Sequence, residues 1–299
     1  MYAQLRKIVF ILLCVCGAPV QASNQAINIT FLTAEQDIPH ILQVQHKITM
    51  SKKPKELSTH PRATCFQANI DHFLPAHLEQ KLPVYGCIFS DQVAMNAALL
   101  RAGLYVHTEM GMATDAQLYN SKLMTTVGGH DFSGKELLDY CKQAKIPTGT
   151  LPEHQTFKSI EQEFTQQVIQ PILDKNKGDF IFFAVINTKK FKENLSHELL
   201  HAQYYNTPQI KPILLQVWQK VPKADQDIIM DCLRNGGYDM SQQELLLREF
   251  YSYFMQYNAT KYLAGIKVLK SMSPLAKIYA PKIRAALAKE HITVLTVTY

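Results

Sequence analysis

One apolar run, at residues 180–186, constrains the fold of this chain more than any other segment. Its seven consecutive apolar side chains favour a buried strand, and they are too few to cross a bilayer. Periodic patterns and Gly or Pro stops around it predict helices in the segments 91–102, 134–144, 158–170, 211–221, 224–234 and 242–258. An amphipathic helix carrying residues 196–205 is expected directly after the run. This mixture predicts an α+β fold with a small sheet.

The termini and the first helix carry further expectations. Alternating apolar residues at 27–32 and 292–299 predict short strands, the second of which closes the chain. Two basic amphipathic helices are expected to lead up to Glu290. Ser90 is expected to cap the first helix and Gly103 to end it.

The first 22 residues have the order of a secretion signal. Arg6 and Lys7 precede the apolar segment 8–16, and small residues follow as far as Ala22. Cleavage there would start the mature chain at Ser23 and export it to the periplasm or the extracellular space. No other segment has the roughly 20 apolar residues that a spanning helix needs, so stable membrane insertion is not expected.

The mature chain is expected to have two regions. Residues 23–150 predict an N-terminal α+β region with a substrate-binding or accessory role, and residues 151–299 a catalytic domain, with the boundary in the loop 147–152. Removing Arg6 and Lys7 from 31 basic residues leaves 29 against 25 acidic ones. This mild excess is spread along the chain, so binding to nucleic acid is not expected.

Four cysteines remain after processing, an even number in a chain that enters an oxidising compartment. Their short separation favours a bridge between Cys65 and Cys87, which leaves Cys141 to pair with Cys232. Buried free thiols are the alternative. Cys87 could also act as a nucleophile with His130 as its base, although nothing near either residue fixes their geometry. In another alternative, residues 23–150 are an inhibitory pro-segment that caps a metal through Cys65 or Cys87.

Residues 196–202 contain a pattern typical of metal sites. His197 and His201 lie four residues apart, so on a helix both imidazoles can reach one ion at about 2.0–2.1 Å. Glu198 projects beside the same place. Two neutral imidazoles bind zinc, and the adjacent carboxylate takes a proton from a zinc-activated water. The pattern therefore predicts metal-assisted hydrolysis.

A catalytic zinc needs a third protein ligand and one open position. A nearby third histidine is absent, because Tyr204 and Thr207 stand at the positions that would complete such a motif. Among later carboxylates, Glu244 closes a capping box that begins at Ser241, which gives Glu244 a structural role.

Glu249 is the remaining candidate for the third ligand. It shares an apolar helix face with Leu246, Phe250 and Tyr253. A charge that faces a core is costly unless it is paired or bound to a metal. We therefore expect Glu249 to be the third ligand, the alternative being an ion pair with Arg248 or a more distant lysine.

The segment from His197 to Ala202, followed by Glu249 on a later helix, resembles the gluzincins, the thermolysin-like zinc peptidases. The resemblance covers roughly residues 180–258. It implies a zincin-like catalytic domain, with a strand beside the substrate cleft, an active-site helix and a glutamate helix packed beneath. Tyr253 stands where these enzymes usually carry an aspartate that orients a zinc histidine. Ser252 or a more distant acid would have to supply that hydrogen bond.

The expected function is that of a secreted zinc metallopeptidase acting on a peptide or protein substrate. Glu198 would be the general base, and Tyr253 would donate a hydrogen bond to the developing oxyanion. Several other tyrosines compete for that second role, namely Tyr204, Tyr205, Tyr251 and Tyr257. The alternative is a secreted binding protein with a structural zinc site, which a fourth protein ligand such as Cys or His would close.

Overall fold

The computed structural model describes residues 63–295 except 69, 72–73, 76–77, 79, 115–116, 119–125 and 145–156, together with two short strands nearer the N-terminus. One six-stranded sheet has the order β1-β2-β3-β4-β6-β5. The strands are β1 (Ile29–Thr30), β2 (His40–Leu42), β3 (Ala63–Ala68), β4 (Val84–Phe89), β5 (Gly129–Ser133) and β6 (Ile181–Ile186). β4 and β6 run parallel, and every other neighbouring pair is antiparallel. β5 is an end strand of this sheet.

Helices cover both faces of the sheet. In the described part of the chain they are α1 (Gln92–His107), α2 (Gly134–Ala144), α3 (Phe157–Phe164), α4 (Gln170–Asn176), α5 (Phe191–Asn206), α6 (Ile210–Gln219), α7 (Lys223–Asn235), α8 (Gln243–Met255), α9 (Ala259–Ala264) and α10 (Met272–Lys289). A π-helical turn, Thr165–Ile169, joins α3 to α4, and Pro171 lies in the first turn of α4. The α+β class predicted from the sequence is confirmed.

Strand β6 is buried on both faces, as the apolar run predicts. Phe182 and Ala184 point into a core with α1, α2 and α4, whereas Phe183 and Val185 point into a second core with α5, α6, α8 and α10. Successive side chains of a strand alternate between faces, so a strand between two helical layers must be apolar at every position. This explains why the run has no polar residue.

The first helix is longer than its sequence predicts. Asp91, not Ser90, is its N-cap and accepts a hydrogen bond from Ala94 N (2.8 Å). The helix continues through Gly103, which was expected to end it. A Cβ at Gly103 would lie 2.8 Å from His130 Nδ1, so this glycine serves the close approach of β5 and not a helix stop.

The end of the chain also differs from the prediction. Within the described residues 292–295 there is no strand. Instead, the Gln203 side chain on α5 donates to Thr293 O (2.6 Å) and accepts from Leu295 N (2.8 Å). Ile292, Val294 and Leu295 are buried, and the Gln203 amide bonds the backbone of this segment where a partner strand was expected.

One of the two expected disulfides is present. Cys65 and Cys87 face each other across β3 and β4 and are bonded. Cys141 and Cys232 are free, so their predicted bridge is wrong. They belong to cores on opposite faces of the sheet, which places a bridge out of reach. The bond also excludes Cys87 as a nucleophile with His130, and either cysteine of the bridge as a cap on a metal.

The sheet contains strands from both sides of residue 150, because β6 lies between β4 and β5. The signal peptide and the boundary loop 147–152 lie outside the described residues. Within the described part of the chain, no helix combines the length and apolar character needed to cross a membrane.

Candidate metal centre

The two histidines predicted as ligands lie side by side on α5, which packs against β5, β6 and α8. His197 Nε2 and His201 Nε2 are 3.0 Å apart, and both rings are buried. In water two imidazoles would turn their polar edges outward. Here the helix holds two ring nitrogens together inside the protein.

Glu249 on α8 completes a group of three converging side chains. Its carboxylate oxygens lie 3.4 Å from His197 Nε2 and 3.5 Å from His201 Nε2. The three potential ligand atoms lie within 4.8 Å of one another. Ligands bound tetrahedrally to zinc at 2.0–2.1 Å are about 3.4 Å apart, so these spacings fit one such ion. Glu249 Oε2 is buried without a hydrogen bond, as expected of an atom that could bind a cation.

Hydrogen bonds orient both imidazole rings toward this point. His197 Nδ1 lies 2.8 Å from Gln256 Oε1, and His201 Nδ1 lies 2.9 Å from Ser252 Oγ. An amide oxygen only accepts, so His197 Nδ1 donates to Gln256, and Nε2 is the ring nitrogen that a neutral His197 would present to a metal. Neighbours of this kind fix the tautomer of metal-binding histidines. The sequence analysis left two candidates for the hydrogen bond that orients a histidine, Ser252 and a more distant acid. Ser252 makes that bond, to His201.

Glu198 lies beside the three converging side chains, against strand β5. A Cβ at Gly129 would overlap Glu198 Oε1, so only glycine at that position leaves room for the carboxylate. Glu198 Oε2 is buried without a hydrogen-bond partner. Burial raises the pKa of Glu198 well above its usual value, and the negative charges of Asp131 and Glu249 raise it further, while Arg248 opposes them. The environment therefore favours uptake of a proton by Glu198.

Arg248 attracts Glu249 electrostatically, but its ion-pair contacts in the described part of the chain are with other carboxylates. Its Nη1 lies 3.6 Å from Asp131 Oδ2 and 3.6 Å from Glu136 Oε1, and its guanidinium stacks over the Tyr205 ring at 5.2 Å. Within the described residues, the basic groups in ion-pair range of Glu249 are the two histidines. The alternative role of Glu249 was an ion pair with Arg248, and the described residues show no ion-pair contact between these two side chains.

The capping box predicted for α8 is wrong. Asp239 accepts hydrogen bonds from Ser241 N and Ser241 Oγ, at 2.9 and 2.6 Å. Glu244 instead accepts from Tyr204 OH at 2.9 Å and pairs with Lys211. Ser241 therefore bonds to Asp239 and not to the start of α8. Glu244 instead connects α8 to α5 through Tyr204 and to α6 through Lys211.

A capping box that the sequence analysis did not single out begins α2. Ser133 N donates to Glu136 Oε2 (2.6 Å), and Glu136 N donates to Ser133 Oγ (3.2 Å). These bonds fix Glu136 at the end of β5. The pattern Ser-Gly-Lys-Glu at residues 133–136 carried this signal.

Tyr253 lies against the candidate metal centre. Its ring centroid is 4.4 Å from that of His197, and its hydroxyl shares a hydrogen bond with Tyr238 OH (3.0 Å). Two competing tyrosines are engaged elsewhere, because Tyr204 OH donates to Glu244 and Tyr251 OH donates to Gln203. Tyr253 is thus the candidate that the fold brings closest to a histidine ring.

Buried polar side chains join α5 to its surroundings on several sides, so the helix is not amphipathic as its pattern suggested. Asn194 Nδ2 donates to Gly128 O (3.2 Å), next to the glycine that accommodates Glu198. Ser196 Oγ accepts from Tyr257 N (2.9 Å), just beyond α8. These bonds connect α5 to the residue before β5 and to the segment that follows α8.

The sequence analysis missed three residues at this site: Asp131, Gln256 and Gly129. Asp131 Oδ1 lies 3.8 Å from His201 Nε2 and belongs to a second group of potential ligands with Glu198 and His201. The paired glycines 128–129 were a visible signal. The contacts of Asp131 and Gln256 depend on tertiary packing and left no local pattern.

Comparison of the chain with protein-family models, curated proteins and solved structures gives no match. The interpretation of the site therefore depends on its own residues and geometry.

Proposed function

We propose that this chain is an exported, zinc-dependent metallopeptidase of the gluzincin type. The observation that carries the proposal is the convergence of His197 Nε2, His201 Nε2 and Glu249 at 3.0–3.5 Å, with Glu198 alongside. Two imidazoles and one carboxylate with an open position are the ligand set of hydrolytic zinc sites. An ion held there would supply Lewis-acid catalysis for hydrolysis.

Each residue of the site has a separate task in this proposal. Gln256 and Ser252 hold the two imidazoles in the tautomer that presents Nε2. Glu198 Oε2 accepts the proton of the attacking water and passes it to the leaving amine. Tyr253 donates to the oxyanion that develops on the substrate carbonyl.

A peptide is the substrate that this surface would suit. β5 ends the sheet, and within the described residues it pairs only with β6. The unpaired edge of an end strand can bind an extended peptide through its backbone groups. Gly129 lies in this strand next to Glu198, so a peptide bound along it would pass the general base.

A secreted binding protein with a structural zinc site is the second candidate. Structural zinc sites are closed by four protein ligands. The acid closest to filling that role is Asp131, at 3.8 Å from His201 Nε2. Among the described residues, Asp131 has ligand atoms within 4.8 Å of those of His201 and Glu198, but it does not form one such cluster with all three proposed ligands.

The experiment that separates these candidates is digestion of a proteome-derived peptide library, read by mass spectrometry. Wild-type protein should cleave peptides, and a zinc chelator should stop it. Glu198→Gln should keep the metal and the fold but lose cleavage, because an amide cannot accept the proton. Identical peptide profiles for the two proteins would contradict the peptidase and favour the binding protein.

A further inference from the structure

A second carboxylate stands beside the metal centre without belonging to the proposed ligands. Asp131, on the end strand β5, is buried, and its Oδ1 lies 3.8 Å from His201 Nε2. Asp131, Glu198 and His201 lie within 4.8 Å of one another, and this group shares only His201 with the proposed ligand set. Asp131 thus lies within reach of both Glu198 and one of the proposed ligands.

Arg248 is the cation that engages this carboxylate. Its Nη1 lies 3.6 Å from Asp131 Oδ2 and 3.6 Å from Glu136 Oε1, and it is 3% exposed. Glu136 is itself fixed by its capping box with Ser133. The guanidinium is therefore held near the end of β5, where it faces one carboxylate oxygen of Asp131 while the other oxygen faces His201.

The number of protein ligands decides what a zinc site can do. Three ligands leave a position for substrate or water, whereas four close the site and make it structural. A buried carboxylate that loses its cation is costly and would turn to the nearest positive charge. For Asp131 that charge would be the metal beside His201.

We propose that Arg248 is a positioning residue that holds Asp131 out of the metal's coordination sphere and so keeps the centre open to substrate. The inference rests on the proposed metal site. It assigns Arg248 to neither binding nor catalysis. Removal of its charge should close the site, tighten metal binding and block access of ligands to the metal.

The test uses the full chain loaded with Co²⁺, whose visible spectrum reports ligation, and acetohydroxamate as a small ligand that needs an open position. Acetohydroxamate should change the spectrum of the wild type. In Arg248→Met the Co²⁺ dissociation constant should fall about tenfold, a typical size for effects of residues around a metal site, and acetohydroxamate should no longer act. The double variant Asp131→Asn/Arg248→Met should respond to acetohydroxamate again.

The control is Arg234→Met, since Arg234 is an exposed arginine of α7 that pairs with Asp231. It should match the wild type. An unchanged acetohydroxamate response in Arg248→Met would overturn the inference alone, while failure of the wild type to bind Co²⁺ or Zn²⁺ would overturn the proposed function as well. If Arg248→Met does not fold, Arg248→Gln replaces it, since glutamine removes the charge but keeps a polar side chain. An unchanged response of its Co²⁺ spectrum to acetohydroxamate would contradict the inference.

Discussion

Each histidine of the α5 pair turns one ring nitrogen to a hydrogen-bonding neighbour and the other to its partner histidine. The sequence predicted the pair with Glu198 beside it, because a helix places residues three and four apart on one face. It left the hydrogen bond to the second histidine open between Ser252 and a more distant acid. Gln256 could not be found this way. It lies one residue past the end of α8, in extended backbone, so its reach to His197 depends on where the helix stops.

Gly129→Ala is the prediction that isolates the position of Glu198. The added Cβ would overlap Glu198 Oε1, and the carboxylate would have to leave its place beside the histidines. Because the atoms nearest to that Cβ belong to Glu198 and Ala184 and not to a proposed ligand, we expect zinc content to stay near the wild-type level. Peptide cleavage should fall about 100-fold or more, as for a lost acid–base group.

Gly265→Ala is the matched control for this variant. A Cβ there meets nothing closer than 3.4 Å, and activity should be unchanged. Wild-type cleavage by Gly129→Ala would show that Glu198 does not act from the place it occupies.

Two helices show where an element departs from its sequence pattern. α1 continues past Gly103, where the absence of a side chain leaves room for His130 on β5. Residues so far apart in the chain leave no local sequence pattern for such a contact. α5 buries polar residues on several sides, so no single apolar stripe describes it. By contrast, α2 has the bounds predicted, since its glycine, its helix formers and its capping residues are all local.

Gln203→Ala is the prediction at this scale. Gln203 bonds Thr293 O, Leu295 N and Tyr251 OH, and it has no solvent exposure. The variant leaves two buried partners, Leu295 N and Tyr251 OH, unsatisfied, each costing about 1–3 kcal/mol before relaxation, and also removes the part-buried bond to Thr293 O. Urea unfolding should show a loss of roughly 3 kcal/mol or more.

The control for that measurement is Gln219→Ala, at the exposed end of α6. Its free energy of unfolding should lie within about 0.5 kcal/mol of the wild type. A comparable small change in Gln203→Ala would mean that the C-terminal segment does not stabilise α5.

The whole sheet depends on pairings between distant parts of the chain. β4 pairs with β6 although nearly a hundred residues separate them, and β5 then adds to the other side of β6. The sequence predicted β6 from its apolar run, but no local pattern specifies a strand's partner. The placement of Asp131 beside His201 follows from this pairing, which is why it escaped prediction.

Acid should destabilise the molecule through two buried histidines, His130 on β5 and His107 at the end of α1. Burial lowers the pKa of His130 to about 4 and that of His107 to about 3. A histidine whose folded pKa lies below its unfolded value of about 6.5 binds fewer protons when folded, so stability falls as pH drops through 6.5 and keeps falling to about 4. His130 alone should account for about 3 kcal/mol of this loss.

Urea unfolding at pH 7 and pH 4.5, both in excess chelator to exclude metal loss, measures the effect. His130→Gln should reduce the difference between the two pH values, because glutamine does not titrate. His291→Gln, at an exposed position, should leave it unchanged. An equal pH effect in the wild type and His130→Gln would refute the assignment.

Zinc content tests the central claim most directly, that His197, His201 and Glu249 hold one metal ion. The full chain, reconstituted with zinc and freed of excess, should contain about one zinc per chain by elemental analysis, as a three-ligand site retains its ion. Glu249→Ala should lose most of it, while Glu244→Ala, on the same helix but bonded to Tyr204, should keep it. Less than about 0.2 zinc per chain in the wild type, or full zinc in Glu249→Ala, would contradict the account.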